Sequence, residues 1–229
     1  NSYDDRAGAV LDGPEALNFM NFDVAGSAVT YDSCSFAPDS ASTATSITTG
    51  YKTYSGMINV DITGSTPYET IAEKLHSQKG WKVGIISSVN LNHATPAALY
   101  AHQAFFMMCE GGKIDWGCHA NDAGATVTDT LALADAVQVA IDFAKEHADE
   151  TLIVVTGDHE IGGLTIGFAG TDYDTYLDSL ANQTISYARF DEQYVAAYKE
   201  NGTRFEDAMQ DVEKLFGLKL SGEETDRLV

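Results

Sequence analysis

The sequence predicts an α/β fold built on a largely parallel sheet. Three apolar runs, at 83–87, 105–110 and 151–157, are short, are apolar enough for burial and end abruptly in polar residues, as buried strands do. Amphipathic helical patterns lie beside them in sequence. Strands alternating with helices give a parallel sheet with helices on its faces.

Taken in order, residues 1–13 are polar and carry no strand pattern. A helix is expected from Asp39 or Ser40, either of which suits an N-cap, to a stop at Gly50. Residues 67–79 read as a helix with Ile71, Ala72 and Leu75 inward. The run at 83–87 is a strand, and Thr95-Pro96 opens a helix after it. The run at 105–110 is a second strand, with Cys109 as a small buried side chain. Residues 129–147 form a longer helix with Leu131, Ala134, Val137, Ile141 and Ala144 inward. The run at 151–157 is a third buried strand, followed by Asp158 and His159. From Thr171 onward Tyr and Asp become frequent, and 190–218 reads as two polar helices joined at Asn201-Gly202. The division is an incomplete α/β core at 1–170 and a peripheral helical insertion or cap of the same domain at 171–229. His76 and His147 are expected to be solvated helix residues.

The 34 acidic residues outnumber 13 Lys and Arg, giving a net charge of -21. Such a surface repels nucleic acid and anionic membranes. It also repels phosphate esters at long range, so a site for them needs a local source of positive field. No apolar run reaches the length of a membrane span. The three cysteines, Cys34, Cys109 and Cys118, are an odd number and exclude a complete disulfide framework.

Four segments carry chemistry. Asp158 and His159 follow a strand, where reactive groups of open α/β folds collect, and both are good zinc ligands. Asp115 and His119 are four apart, so on a helix they face one side and can share an ion. Glu110 leaves its strand as an oxygen donor for a harder cation such as magnesium, and the Thr95 hydroxyl is another. Ser40 sits where a helix N-terminus offers backbone amides and a positive field to a phosphate. Each feature alone has a plainer reading as a cap or a solvated turn.

Together the motifs Asp-Ser-Ala-x-x-Ala-Thr, His-Ala-Thr-Pro-Ala-Ala, Glu-Gly-Gly-x-Ile-Asp-x-x-x-His and Asp-His-Glu-x-Gly-Gly resemble the alkaline phosphatase family, in its order, over roughly residues 14 to 170. The resemblance implies a three-layer α/β/α sandwich and a phosphomonoesterase with two zinc ions and one magnesium ion. It implies Ser40 as the nucleophile that becomes phosphoserine. Asp158 and His159 are then ligands of the zinc beside Ser40, Asp115 and His119 ligands of the second zinc, and Thr95 and Glu110 ligands of magnesium. His93, Trp116 and Asp39 match positions around this cluster, and Cys118 matches none. Small phosphate monoesters as substrates, a homodimer and a periplasmic or secreted location follow from the same resemblance. A related phosphodiesterase or sulfatase-like hydrolase, or a non-catalytic metal-binding homologue or fragment, is the alternative.

The sequence also departs from the family. The family's early strand with its bridging Asp, an Arg that clamps phosphate, a further zinc-ligand His and a long central connection have no counterparts here. His159 is the last histidine. The connection and the Arg would fall at His102-Gln103-Ala104-Phe105, so the expectation is a fragment, or pieces joined with a backbone break near 102–104.

Overall fold

The computed structural model describes residues 3–4, 9–10, 16–99, 105–161, 164 and 177–227. The expected break at 102–104 lies outside them.

The first helix, α1 (Ser40–Thr49), begins and ends as its sequence dictates. Asp39 is the N-cap, accepting from Ser42 N at 3.0 Å, and Gly50 closes the helix at φ 81°. The helix is rich in hydroxyls yet mostly buried. Thr45, Thr48 and Thr49 resolve that conflict by donating to the carbonyls four residues back, at 2.9, 2.8 and 2.7 Å. Helix α2 (Ile71–Lys79) starts later than the pattern indicated because Thr70 and Glu73 form a capping box that fixes its entry. Ile71, in the first turn, is exposed rather than inward, while Ala72 is fully buried.

Strands β3 (Lys82–Ser87) and β4 (Phe105–Glu110) pair in parallel, Lys82 against Phe105 and Ser87 against Glu110. This register puts the polar ends of both strands side by side. Cys109 is exposed, contrary to expectation. It shares a face with its partner Ile86 and with Met107, both about half exposed. Between the strands lies α3 (Ala94–Leu99), in which Pro96 is tolerated because first-turn amides have no partner within the helix.

Beyond β4 come α4 (Lys113–His119) and α5 (Ala123–Glu146). Asp122 caps α5, so the helix starts well before residue 129. Ala134 is buried as expected, but Leu131 is 51% exposed. His76 and His147 are exposed, as expected.

Two expectations fail outright. Residues 151–157 form no strand: Leu152 and Val154 are 86% and 72% exposed. Their exposure alternates with that of Ile153 and Val155, so the period of two is real. A strand is completed by a neighbour's ladder, however, and among the described residues none lies alongside. Conversely, residues 1–13 are not strandless. β1 (Tyr3–Asp4) pairs antiparallel with β2 (Ala9–Val10), two residues each, too short to leave a periodic signal.

Toward the C-terminus, α6 (Tyr187–Phe190) runs through a π-helical stretch, Asp191–Val195, into α7 (Ala196–Asn201). Gly202 ends it at φ 60°, and α8 (Phe205–Phe216) and α9 (Gly222–Asp226) follow. Phe190 stacks on Tyr194 and meets Tyr198 and Phe216 edge-on, a small aromatic core. No helix among the described residues is long and apolar enough to cross a membrane.

Candidate active site

Ser40 is the first residue of α1, held by a network beneath it. Asp39 spends its carboxylate on the scaffold: Oδ1 accepts from Ser42 N at 3.0 Å, with Ser42 Oγ 2.8 Å away, and Oδ2 accepts from Gly56 N at 2.6 Å. Asp32, almost wholly buried, lies below. Its Oδ1 accepts from the amides of Cys34 and Ser35, both at 2.7 Å, and its Oδ2 from Ser42 Oγ at 2.9 Å and Ser55 Oγ at 2.5 Å. Burial opposes the Asp32 charge, but these four donors outweigh it and hold the carboxyl well below the usual range.

Above this base, Ser40 Oγ lies 2.9 Å from His159 Nε2. His159 Nδ1 lies 2.9 Å from the carbonyl of Glu160. A ring nitrogen facing a carbonyl oxygen carries the proton, and in the neutral imidazole Nε2 is then a lone pair aimed at Ser40. His159 Nε2 is also 3.8 Å from Asp158 Oδ2, which accepts from Thr95 Oγ1 at 3.2 Å. So the 158–159 segment joins α1, through Ser40, to the start of α3, through Thr95.

Glu110 extends the cluster. Ser87, its partner across the β3–β4 pair, donates to Glu110 Oε2 through a short hydrogen bond. Burial pushes the Glu110 carboxyl up, and repulsion from Asp158 and Asp115 adds to it, while Ser87 and His93 pull the other way. Gly112 explains the glycines after Glu110: a Cβ there would meet both Val89 methyls at 2.9 Å and Glu110 Oε1 at 3.0 Å.

On α4, Asp115 Oδ1 lies 3.2 Å from His119 Nε2, as the i, i+4 spacing predicts. That oxygen is buried and no hydrogen bond satisfies it. Two ligand atoms this close and unbonded are what a shared cation would relieve. His93 Nδ1 is likewise buried without a partner, and the His93 ring meets Trp116 edge-on at 5.8 Å. Cys118 turns away, with Sγ 3.5 Å from Thr126 Oγ1.

The donor set fits zinc and magnesium by type: imidazole nitrogen with carboxylate for zinc, carboxylate and hydroxyl oxygen for magnesium. It fits by pairs rather than by complete cages. Among the described residues no three His, Cys, Asp or Glu side chains converge on one point.

Of the residues singled out in the sequence, Ser40, His159, Asp158 and Thr95 come together by direct contacts, Glu110 joins Ser87, and Asp115 joins His119 as a pair of its own; Asp39 faces the scaffold. Four were missed. Asp32 carries a turn signature in Tyr31-Asp32-Ser33, which could have been read. Ser87 is legible only once the strand register is known. Ser42 and Ser55 leave no signal of their own.

The family model for alkaline phosphatase matches residues 2–104 and 102–216, two blocks that meet where the sequence lacks the central connection. The chain is 36% identical over 97 residues to alkaline phosphatase 4 of Bacillus subtilis, covering 42% of this chain and 19% of that protein. It is 41% identical over 86 residues to the repressible alkaline phosphatase of Saccharomyces cerevisiae, covering 36% and 15%. The chain thus spans about a fifth or less of the length of these curated relatives. Among solved structures, a cold-active alkaline phosphatase from Shewanella sp. superposes with a TM-score of 0.73 at 22% identity, covering 88% of this chain and 72% of that one. A TAB5 alkaline phosphatase, a histidine-to-glutamate mutant with Mg bound in its M3 site, superposes with a TM-score of 0.60 at 23% identity, covering 66% and 72%. At such identities the superpositions show the shared α/β fold. The family match extends over nearly the whole sequence, and the chain belongs to the alkaline phosphatase family.

Proposed function

We propose that this chain carries the catalytic face of a phosphate monoester hydrolase in which Ser40 accepts the phosphoryl group. The observation that supports this most is Ser40 Oγ at the start of α1, 2.9 Å from His159 Nε2 and beside Asp158. Asp158 and His159 would hold one zinc ion, Asp115 and His119 a second, and Thr95 and Glu110 magnesium. When bound, these ions supply the positive field that ionises a serine hydroxyl and stabilises charge on the entering and leaving oxygens.

The chain's own residues do the rest. Asp39 and Asp32 fix the first turn of α1, so Ser40 Oγ is held rather than searching rotamers. The α1 amides and helix dipole favour the phosphoryl oxygens as charge builds on them. Glu160 sets the His159 tautomer, leaving Nε2 free toward Ser40 or a cation. Thr95 orients Asp158, and Ser87 orients Glu110. His93 and Trp116 border the cluster. The 171–229 segment acts as a peripheral cap. Small phosphate monoesters, a homodimer and a secreted or periplasmic location complete this reading. A phosphodiesterase or sulfatase-like activity is the rival, and a serine nucleophile followed by Ala41 weighs against it.

The test is release of phosphate from an aryl phosphate by the full chain with zinc and magnesium. Ser40→Ala should lower turnover by at least about 10²-fold. Acid-quenched wild-type protein should carry phosphate on Ser40 by mass spectrometry. Near-normal turnover in Ser40→Ala removes Ser40 from the mechanism, and no turnover in the wild type favours the non-catalytic reading.

A further inference from the structure

His119 is a weakly enclosed ligand candidate. Its side chain is 64% exposed, so neighbouring side chains do not fix it. Its position must come from the backbone of the last turn of α4, and that turn is held from outside. Asn121, just beyond it, takes a left-handed conformation at φ 54°. Asp122 N then closes the turn onto Gly117 O at 2.8 Å. Gly117 is pressed against α5 so closely that a Cβ would lie 2.8 Å from Thr126 Oγ1. Thr126 Oγ1 in turn donates to Asp122 O at 2.9 Å.

The Asp122 carboxylate reaches the other way as well. Oδ1 accepts from Ala125 N at 3.0 Å and from Gln183 Nε2 at 2.6 Å, and Oδ2 accepts from Tyr187 N at 2.7 Å. Gln183 Nε2 also donates to Ile185 O at 2.9 Å. A Cβ on Gly124 would lie 2.3 Å from Gln183 Oε1, so glycine is what admits the glutamine. Thr184 N and Oγ1 then bond Leu215 O at 2.8 and 3.0 Å, near the end of α8. One unbroken set of hydrogen bonds and close backbone approaches thus joins the C-terminal helices to the turn that carries His119.

We propose that Asp122 and Gln183 are positioning residues: they latch the 177–227 segment to the α4–α5 turn and thereby set the Asp115–His119 pair for its metal ion. The segment is then part of the site's support rather than a separate ornament. This rests on the reading of Asp115 and His119 as a zinc pair. Outer groups that orient metal ligands typically contribute 10- to 100-fold in affinity. Here the orientation acts through backbone, which puts the expected effect at the lower end.

The test uses Gln183→Ala and Gln183→Lys in the full chain. Alanine removes the donor to Asp122 but leaves the Asp122–Ala125 cap, and lysine restores a donor. Zinc affinity is measured by competition with a chromophoric chelator, with Asp115→Asn as the reference that identifies the zinc held by this pair. Gln183→Ala should weaken that zinc about 10-fold while its circular dichroism stays that of the wild type, and Gln183→Lys should recover most of the loss. Unchanged zinc affinity in a folded Gln183→Ala protein overturns the latch while leaving the zinc pair intact. A fall in melting temperature with unchanged zinc affinity does the same, because it makes Gln183 structural only. If Asp115→Asn fails to alter wild-type zinc binding, the zinc reading itself fails and the latch with it.

Discussion

Removing the Asp32 carboxylate should damage the nucleophile's foundation more than any surface change. Asp32 receives four hydrogen bonds, two from backbone amides and two from hydroxyls, and is only 4% exposed. Leaving a buried donor unpaired costs about 1–3 kcal/mol, but rotatable hydroxyls such as Ser55 at the edge can turn to water. Ser42 Oγ can turn to Asp39 Oδ1 at 2.8 Å, so the two amides are the donors with least relief, and with the loss of their charged acceptor Asp32→Ala should cost about 3–4 kcal/mol. Asp32→Asn keeps one acceptor oxygen and the volume and should cost about half as much. The pH dependence gives a second check. The folded Asp32 carboxyl titrates below its unfolded value. Its contribution is therefore complete above the unfolded value, about pH 4, and is lost as pH falls toward the folded one. Urea unfolding followed by circular dichroism should show a gap between wild type and Asp32→Asn that is flat above about pH 5 and narrows below about pH 4. A gap under about 1 kcal/mol, or one independent of pH, refutes the reasoning.

Other outcomes follow from single contacts. Asp39→Ala removes the α1 cap and the acceptor for Gly56 N, and should cost about 1–2 kcal/mol by the same urea assay. Gly217 stands at φ +68°, and a Cβ there would lie 2.3 Å from Asn182 Cβ, so Gly217→Ala should cost more than about 2 kcal/mol in thermal melts. Tyr198 donates to Asp211 Oδ2 at 2.6 Å; Tyr198→Phe should cost about 1–2 kcal/mol and leave zinc binding unchanged. Chelation should abolish phosphate release, and zinc with magnesium should restore it while magnesium alone should not.

The sequence spoke most clearly where structure is local. The ends of α1 were legible because Asp39 and Gly50 act within a turn of themselves. The Asp115–His119 pairing was legible because helical spacing alone brings the two together. The start of α5 was not, since Asp122 resembles any polar loop residue until its Ala125 bond is seen. Residues 151–157 were misread for a related reason: their alternation describes a strand, but strand status belongs to a pair, and a single run cannot supply its neighbour. Asp32 and Ser87 depend on partners 23 residues away. Contacts at that range leave no period.

The 151–157 run, unpaired among the described residues, gives the two halves of the site unequal stiffness. Ser40 stands on a capped, buried helix, whereas Asp158 and His159 hang from a segment whose amides face no ladder among the described residues. Those amides should exchange with deuterium quickly, and Asp158 and His159 should spend part of their time off station. Any ion they take must then also order this run, so occupancy and local order rise together and deuterium uptake at 151–157 becomes a gauge of loading.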